Sequence, residues 1–251
     1  MPECNCPKVI YELESAISYE TPYFRENRKA ILGPLMHTVL LNAMGQPKEK
    51  MADLVEMVVQ SIKQKNVLMY FPDEEIQTAV ESFNLAGRVR DVEGDYLMVV
   101  DSNFGGAKSN LYIEQEIEVK VEPTANGSRN TVRIKYKNPQ RNDGWLNGDS
   151  PDYLRVYVPK GSTLVDSSGS ELEVTTIEDL DKTVFEAFFV LRPQGTATLM
   201  FTYDTPVQQS GEYRLTIQKQ SGSKNHEMTV DVGGQKEEFE LDGDREMVFA
   251  I

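Results

Sequence analysis

The sequence predicts an α+β chain, with a helical N-terminal part over residues 1–90 followed by an antiparallel immunoglobulin-like β-sandwich over residues 91–251. Three observations predict it. Apolar residues recur every three or four positions before residue 90 and every two positions after it. The second stretch is punctuated by turn residues at short intervals and shows no helical crossover, which parallel βαβ units would require. The charge shifts at the same place: residues 1–90 carry 10 basic and 12 acidic residues, residues 91–251 carry 16 and 28.

In the helical part, Val9, Ile10, Leu13 and Ile17 form one stripe, and Leu32, Leu35, Met36, Val39, Leu40 and Met44 form a second. His37 lies on the second and reads as a packed core residue. A third stripe, Met51, Leu54, Val55, Val58, Val59 and Ile62, opens after Pro47. Val67-Leu68-Met69-Tyr70-Phe71, ended by Pro72, reads as a short strand. Asp73-Glu74-Glu75 then gives the acidic first turn of a fourth helix, expected to reach about Leu85 and to end at Ala86-Gly87.

In the β part, Tyr96 to Val100 opens the series. Ile113, Gln115, Ile117, Val119 and Val121 then alternate with Glu114, Glu116, Glu118, Lys120 and Glu122, as in a strand with one buried and one wet face. Val132, Ile134 and Tyr136 alternate in the same way with Arg133, Lys135 and Lys137, and Asn126-Gly127 between the two runs predicts a hairpin. The acidic outer face of one strand then meets the basic outer face of the next, at roughly 0.2–1 kcal/mol per cross-strand pair. Further strands are expected at 153–158, 171–175, 184–191, 196–203, 213–219, 227–232, 237–241 and 247–251.

Composition narrows the function. A hydrophobic share of 39%, with 17 Gly besides, is that of a folded chain. The net charge of −14 repels phosphate backbones and argues against nucleic acid as a partner. No basic-then-apolar leader follows Met1, and the uncharged run Ala30 to Pro47 is broken by Gly33, Pro34, His37, Asn42 and Gly45, so no membrane span is expected. Cys4 and Cys6 read as two thiols, with metal ligation or an intermolecular bridge as the alternative.

Two segments are candidate sites. Asp101-Ser102-Asn103-Phe104-Gly105-Gly106-Ala107-Lys108 follows a strand, and Asp101, Asn103 and Lys108 could meet a ligand there. Its glycine spacing matches no phosphate-binding loop, and the plainer reading is a connection held by Asx turns. The second segment, residues 142–152, holds Asp143, Asp149 and Asp152 together with Trp145, the only tryptophan. Calcium takes six to eight oxygens, so the three aspartates are candidate calcium ligands, and Trp145 could stack on a sugar or a partner. The plainer reading is an ordinary long loop. His226 reads as an exposed residue of a polar turn, and no catalytic residues can be picked from 40 acidic side chains.

Several segments together resemble one family. They are Asn27-Arg28-Lys29 with Leu32-Gly33-Pro34-Leu35-Met36; Lys65 to Phe71; Asp101-Ser102-Asn103 with Gly105-Gly106 and Lys108-Ser109-Asn110; Tyr153-Leu154-Arg155-Val156-Tyr157-Val158-Pro159; and Tyr213 to Gln220. The chain resembles the C-terminal part of the bacterial domain-of-unknown-function family numbered four thousand and twelve. The resemblance implies a bacterial envelope protein. Members tend to carry an N-terminal membrane helix and an upstream α/β region similar to the LytR-CpsA-Psr phosphotransferases. The expected function is therefore a non-enzymatic, extracytoplasmic cell-surface interaction or display module, with a protein or glycan partner. The alternative is the C-terminal piece of a cell-wall glycopolymer phosphotransferase-like enzyme whose active centre lies upstream. Convergence of Arg28, Arg88 and Arg90 on one deep pocket would favour that alternative.

Overall fold

The computed structural model describes residues 9, 11–15, 30, 32–208 and 211–251. Cys4, Cys6, Ile10, Ile17 and Arg28 lie outside the described residues. The chain forms two compact units, Met1–Val59 and Gln60–Ile251.

In the first unit, residues 11–15 are helical, α1 spans Leu32–Met44, and a 3-10 turn at Lys48–Lys50 leads into α2, Met51–Lys63, which ends in the second unit. The third stripe thus begins after Pro47 as its spacing predicts. Neither α1 nor α2 has a buried residue, and His37 is exposed rather than packed. A helical period produces an apolar face, but burying that face takes a facing layer, and the described residues of this unit supply none.

The second unit opens with a segment that is extended but not a strand. Residues 67–71 join no ladder. Instead the Met69 amide donates to the Leu85 carbonyl at 2.9 Å and the Phe71 amide to Gln77 Oε1 at 2.9 Å. The segment is thereby laid along α3, Glu74–Ser82. Asp73 caps that helix by accepting from the Glu75 and Ile76 amides. The helix ends sooner than Leu85, with Phe83 at its C-cap and Asn84 at φ 59°.

Twelve strands follow: β1 Asp95–Asn103, β2 Glu114–Thr124, β3 Gly127–Lys137, β4 Ser150–Pro159, β5 Thr163–Ser168, β6 Thr175–Asp179, β7 Lys182–Leu191, β8 Thr196–Thr205, β9 Glu212–Gln218, β10 His226–Val232, β11 Gln235–Leu241 and β12 Arg245–Ala250. They form two six-stranded sheets, ordered β12-β9-β1-β4-β7-β6 and β11-β10-β2-β3-β8-β5. Inward side chains of both sheets make one core, including Leu97, Val132, Leu154, Phe185, Phe201, Leu215 and Val230. Across it, Phe185 stacks on Phe201 at 6.3 Å between ring centroids, and Tyr136 meets Phe189 at 4.7 Å. The architecture is a β-sandwich.

It departs from the expected antiparallel pattern at two places. β1 pairs with β9 in parallel, and β2 with β10. A parallel pair needs a crossover, and here strands of the opposite sheet provide it, so no helix is required. Two edge strands also differ from expectation. β5 occupies residues for which no strand was expected, and β6 begins where a strand was expected to end. Both lie at sheet edges, where a strand is largely exposed and its sequence need not alternate.

The β2–β3 hairpin pairs as its charges predict. Glu114 faces Lys137, Glu116 faces Lys135 and Glu118 faces Arg133, with N–O distances of 3.2, 2.8 and 3.3 Å. The turn residues are Ala125 and Asn126, and Gly127 is already in the ladder, opposite Thr124. Its φ is +146°, and a Cβ there would lie 1.9 Å from the Thr205 carbonyl oxygen, so the site admits only glycine.

No described helix is long and apolar enough to cross a membrane.

Candidate functional site

The inward stripe of β1 reads Asp95, Leu97, Val99, Asp101, Asn103. It is aliphatic in the middle and polar at both ends. At one end Asp95 is sealed in the core. It accepts hydrogen bonds from the Tyr213 hydroxyl, from Asn130 Nδ2 at 2.7 Å and from the Tyr96 amide at 2.8 Å. Burial raises its carboxyl above the usual range, and these three donors oppose that rise.

The other end is open. Asp101 and Asp152 line a pocket of about 260 Å3 between the two sheets. β1 and β4 run antiparallel with Asn103 opposite Asp152 and Asp101 opposite Leu154, so the two aspartates are diagonal neighbours on one inward face. Tyr136 from β3 donates its hydroxyl to Asp101 Oδ1 at 2.5 Å, and Gln115 from β2 donates to Oδ2 at 3.1 Å. The Ser102 amide donates to Asp152 Oδ1 at 3.0 Å. Ser150, on the same face of β4, also lines the pocket. Its hydroxyl is buried and, among the described residues, has no hydrogen-bond partner. Ile113, Phe189 and Leu191 give an apolar wall, and the 220–226 connection between β9 and β10 closes one side. Gln220 fixes that connection to β1. It accepts from the Asp101 amide at 3.0 Å and donates to the Asp101 carbonyl at 2.9 Å.

The electrostatics follow from burial. Desolvation pushes Asp101 up to about 6, against the donation from Tyr136 and Gln115. Asp152 is pushed up to about 7 by burial and by the neighbouring Asp101 charge. Burial, reinforced by Asp101, raises the Tyr136 hydroxyl and keeps it protonated. Perturbed carboxyls in a cleft are a mark of functional sites.

The remaining predicted residues, Asn103, Lys108, Asp143, Trp145 and Asp149, do not line this pocket. Asn103 is spent on its own loop, donating to Asn110 Oδ1 at 2.6 Å and accepting from the Gly105 amide at 2.7 Å. Lys108 is exposed, and its amide donates to the Leu146 carbonyl at 2.8 Å. Ser109, fully buried, donates to the Gly148 carbonyl and accepts from the Gly148 amide. A Cβ on Gly105 would lie 2.6 Å from the Asp149 carbonyl oxygen. The two segments picked separately from the sequence are therefore stapled to each other.

In the second segment the loop is pinned by Leu146 and Asn147, both buried, while Trp145 is half-buried. Asn147 Nδ2 donates to the Arg141 carbonyl at 2.9 Å, and Asn138 Nδ2 donates to Asn147 Oδ1 at 2.8 Å. Asp143 Oδ1 accepts from the Trp145 and Asn147 amides at 2.9 and 2.8 Å. Asp149 is exposed and Asp152 faces the pocket. Among the described residues no three His, Cys, Asp or Glu side chains are grouped to hold a metal, so Asp143, Asp149 and Asp152 do not converge. The three belong to different settings: a loop cap, a surface and a strand face.

His226 is half-buried at the start of β10 and lines the pocket, rather than lying exposed in a turn. Burial pushes its imidazole below the usual histidine range. Arg88 and Arg90 line a separate surface depression, paired with Glu81 at 2.8 Å and Glu246 at 2.6 Å. Gln115 and Tyr136 were legible as inward-facing residues, but not as partners of Asp101. Ser150 carried no signal.

No protein-family model and no curated protein matches the chain. Among solved structures, a proposed nutrient-binding protein from Legionella pneumophila aligns over 55% of each chain at 11% identity and a TM-score of 0.34. A substrate-bound variant of an M1 zinc metallopeptidase from Deinococcus radiodurans aligns over 55% of this chain and 39% of its own at 12% identity and 0.26. The chain thus spans about half of the first structure and about two fifths of the second. Alignments this loose transfer neither a fold type nor an activity.

Proposed function

We propose that this chain is a non-enzymatic interaction module of a bacterial envelope protein, displayed outside the cytoplasmic membrane, which binds its ligand in the Asp101–Asp152 pocket. The observation that carries the binding function is the pocket itself, a cleft with an apolar wall, two convergent carboxylates and an unpaired buried hydroxyl. Both oxygens of Asp101 are occupied by Tyr136 and Gln115. That arrangement orients a carboxylate for recognition rather than freeing it for proton transfer.

The envelope setting is supported by the segments that resemble the family numbered four thousand and twelve, including Asp101-Ser102-Asn103 and Tyr153 to Pro159. The same proposal takes the sandwich as immunoglobulin-like and residues 1–90 as a separate helical part. The net charge of −14 suits a wet, displayed surface.

The test is co-sedimentation of the purified chain with bacterial cell-wall sacculi, beside surface proteolysis of intact cells that make the protein. The reading expects the wild-type chain to pellet, D152N to remain in the supernatant, and the protein to be cleaved from intact cells. Equal pelleting of D152N would remove the pocket from the function. Protection from protease would remove the surface setting. Turnover of a glycan or polyprenyl-phosphate substrate by the chain would overturn the non-enzymatic reading.

A further inference from the structure

We propose that the pocket takes the primary ammonium group of a small organic ligand, an assignment that rests on the pocket being the chain's binding site. The buried Asp152 and the half-buried Asp101 line a space in which, among the described residues, neither is paired with a cation. Lys224 also lines the pocket, but it donates its ammonium to the Leu111 carbonyl rather than to either aspartate. A buried carboxyl either keeps its proton or pairs with a cation, and a cation from outside the chain would supply that pairing.

Free acceptors mark where it would sit. The Ser102 amide occupies Asp152 Oδ1, and among the described residues Oδ2 has no partner. Ser150 provides a second, independent indication. Its side chain is fully buried on the pocket face of β4, and its hydroxyl has no partner. An ammonium brings three N–H donors and a positive charge, which fits a carboxylate and a hydroxyl on the same face of β4. A neutral hydroxyl brings one donor and no charge. Phe189 and Tyr136 present aromatic rings to the same space, and cations are attracted to ring faces. Phe189, Leu191 and Ile113 form an apolar wall for the ligand's carbon body, which favours an organic cation over a bare metal ion.

The experiment compares matched pairs on the full chain by saturation-transfer NMR and calorimetry: n-butylamine against n-butanol, and D-glucosamine against D-glucose, with calcium chloride as a separate arm. The expected result is binding of at least one amine about tenfold or more tighter than its neutral partner. D152N should weaken that binding by a similar factor. S150A should weaken it several-fold without lowering the melting temperature, because it deletes an unpaired buried hydroxyl. A hydroxyl with only a structural role would not combine those two effects. Should D152N not fold, S150A keeps the test. Neutral partners binding as well as the amines would overturn the ammonium assignment while leaving the pocket reading intact. Calcium binding that depends on Asp152 and displaces the amines would replace the assignment with a metal site. Failure of both amines to bind at millimolar concentration would overturn the assignment, and sacculus binding would then judge the pocket reading separately.

Discussion

Asp95 and Asp101 lie on the same inward stripe of β1, and the sandwich treats them in opposite ways. Asp95 is enclosed by Tyr213, Asn130 and the Tyr96 amide. Asp101 stands at the open end, beside Asp152 and a hydroxyl without a partner. One carboxylate ties the sheets together. The other faces a space large enough for a small ligand.

Asp95→Ala should therefore be strongly destabilising without touching the pocket. It leaves the Tyr213 hydroxyl and the Asn130 amide buried without their acceptor. The expected loss is about 2–5 kcal/mol, read from urea unfolding, with Asp95→Asn costing clearly less. A loss below about 1 kcal/mol for the alanine variant would mean that the network does not hold this end of the sandwich.

Asp152 sets a pH dependence whose sign can be stated. Its folded carboxyl is raised to about 7, above its unfolded value. Its contribution to stability is therefore full at low pH and lost as the pH rises through about 7. Asp152→Asn removes that loss. The variant should melt higher than the wild type at pH 8, by an amount on the order of a few kcal/mol in stability, and the gap should narrow on acidification and close only below about pH 4. Both proteins keep His226 and the surface carboxylates, so the difference reads Asp152 together with its effect on the neighbouring Asp101. A gap that is absent at pH 8, or that widens on acidification, would contradict the assigned direction.

Gly127 is a backbone requirement. Alanine there would bring a Cβ to within 1.9 Å of the Thr205 carbonyl oxygen at a φ of +146°. Gly127→Ala should cost more than about 2 kcal/mol and lower the thermal midpoint by several degrees. A near-neutral result would mean that β3 and β8 separate easily at this end.

The β2–β3 charge ladder is exposed, so it should be weak. A double-mutant cycle on Glu116 and Lys135 should give a coupling below about 1 kcal/mol that shrinks in high salt. The ladder fixes register by pairing opposite charges, and the core supplies the stability.

Much of this was legible in the chain. The alternation from Ile113 to Val121 and from Val132 to Tyr136 is a local signal, and it places the hairpin, its ladder and the inward direction of Gln115 and Tyr136. Asp101 and Asp152 each stood out, but in different segments and for different chemistry. What unites them is the β1–β4 register, a long-range pairing that local periodicity does not encode. The parallel pairs β1–β9 and β2–β10 were hidden for the same reason. β1 concealed its pocket face because both of its faces are apolar in the middle: Tyr96, Met98 and Val100 pack outside the sheet, while Leu97 and Val99 pack inside it. Ser150 is an ordinary serine in the sequence, and only its enclosure without a partner makes it informative.

The central claim is that the open end of the sandwich is a ligand site. It is tested most directly by an amide-resolved NMR titration of the full chain with D-glucosamine. The account predicts shift changes centred on Asp101, Ser102, Ser150, Asp152 and the 220–226 connection, absent in D152N. Changes confined to the β2–β3 ladder, or none at saturating ligand, would contradict it.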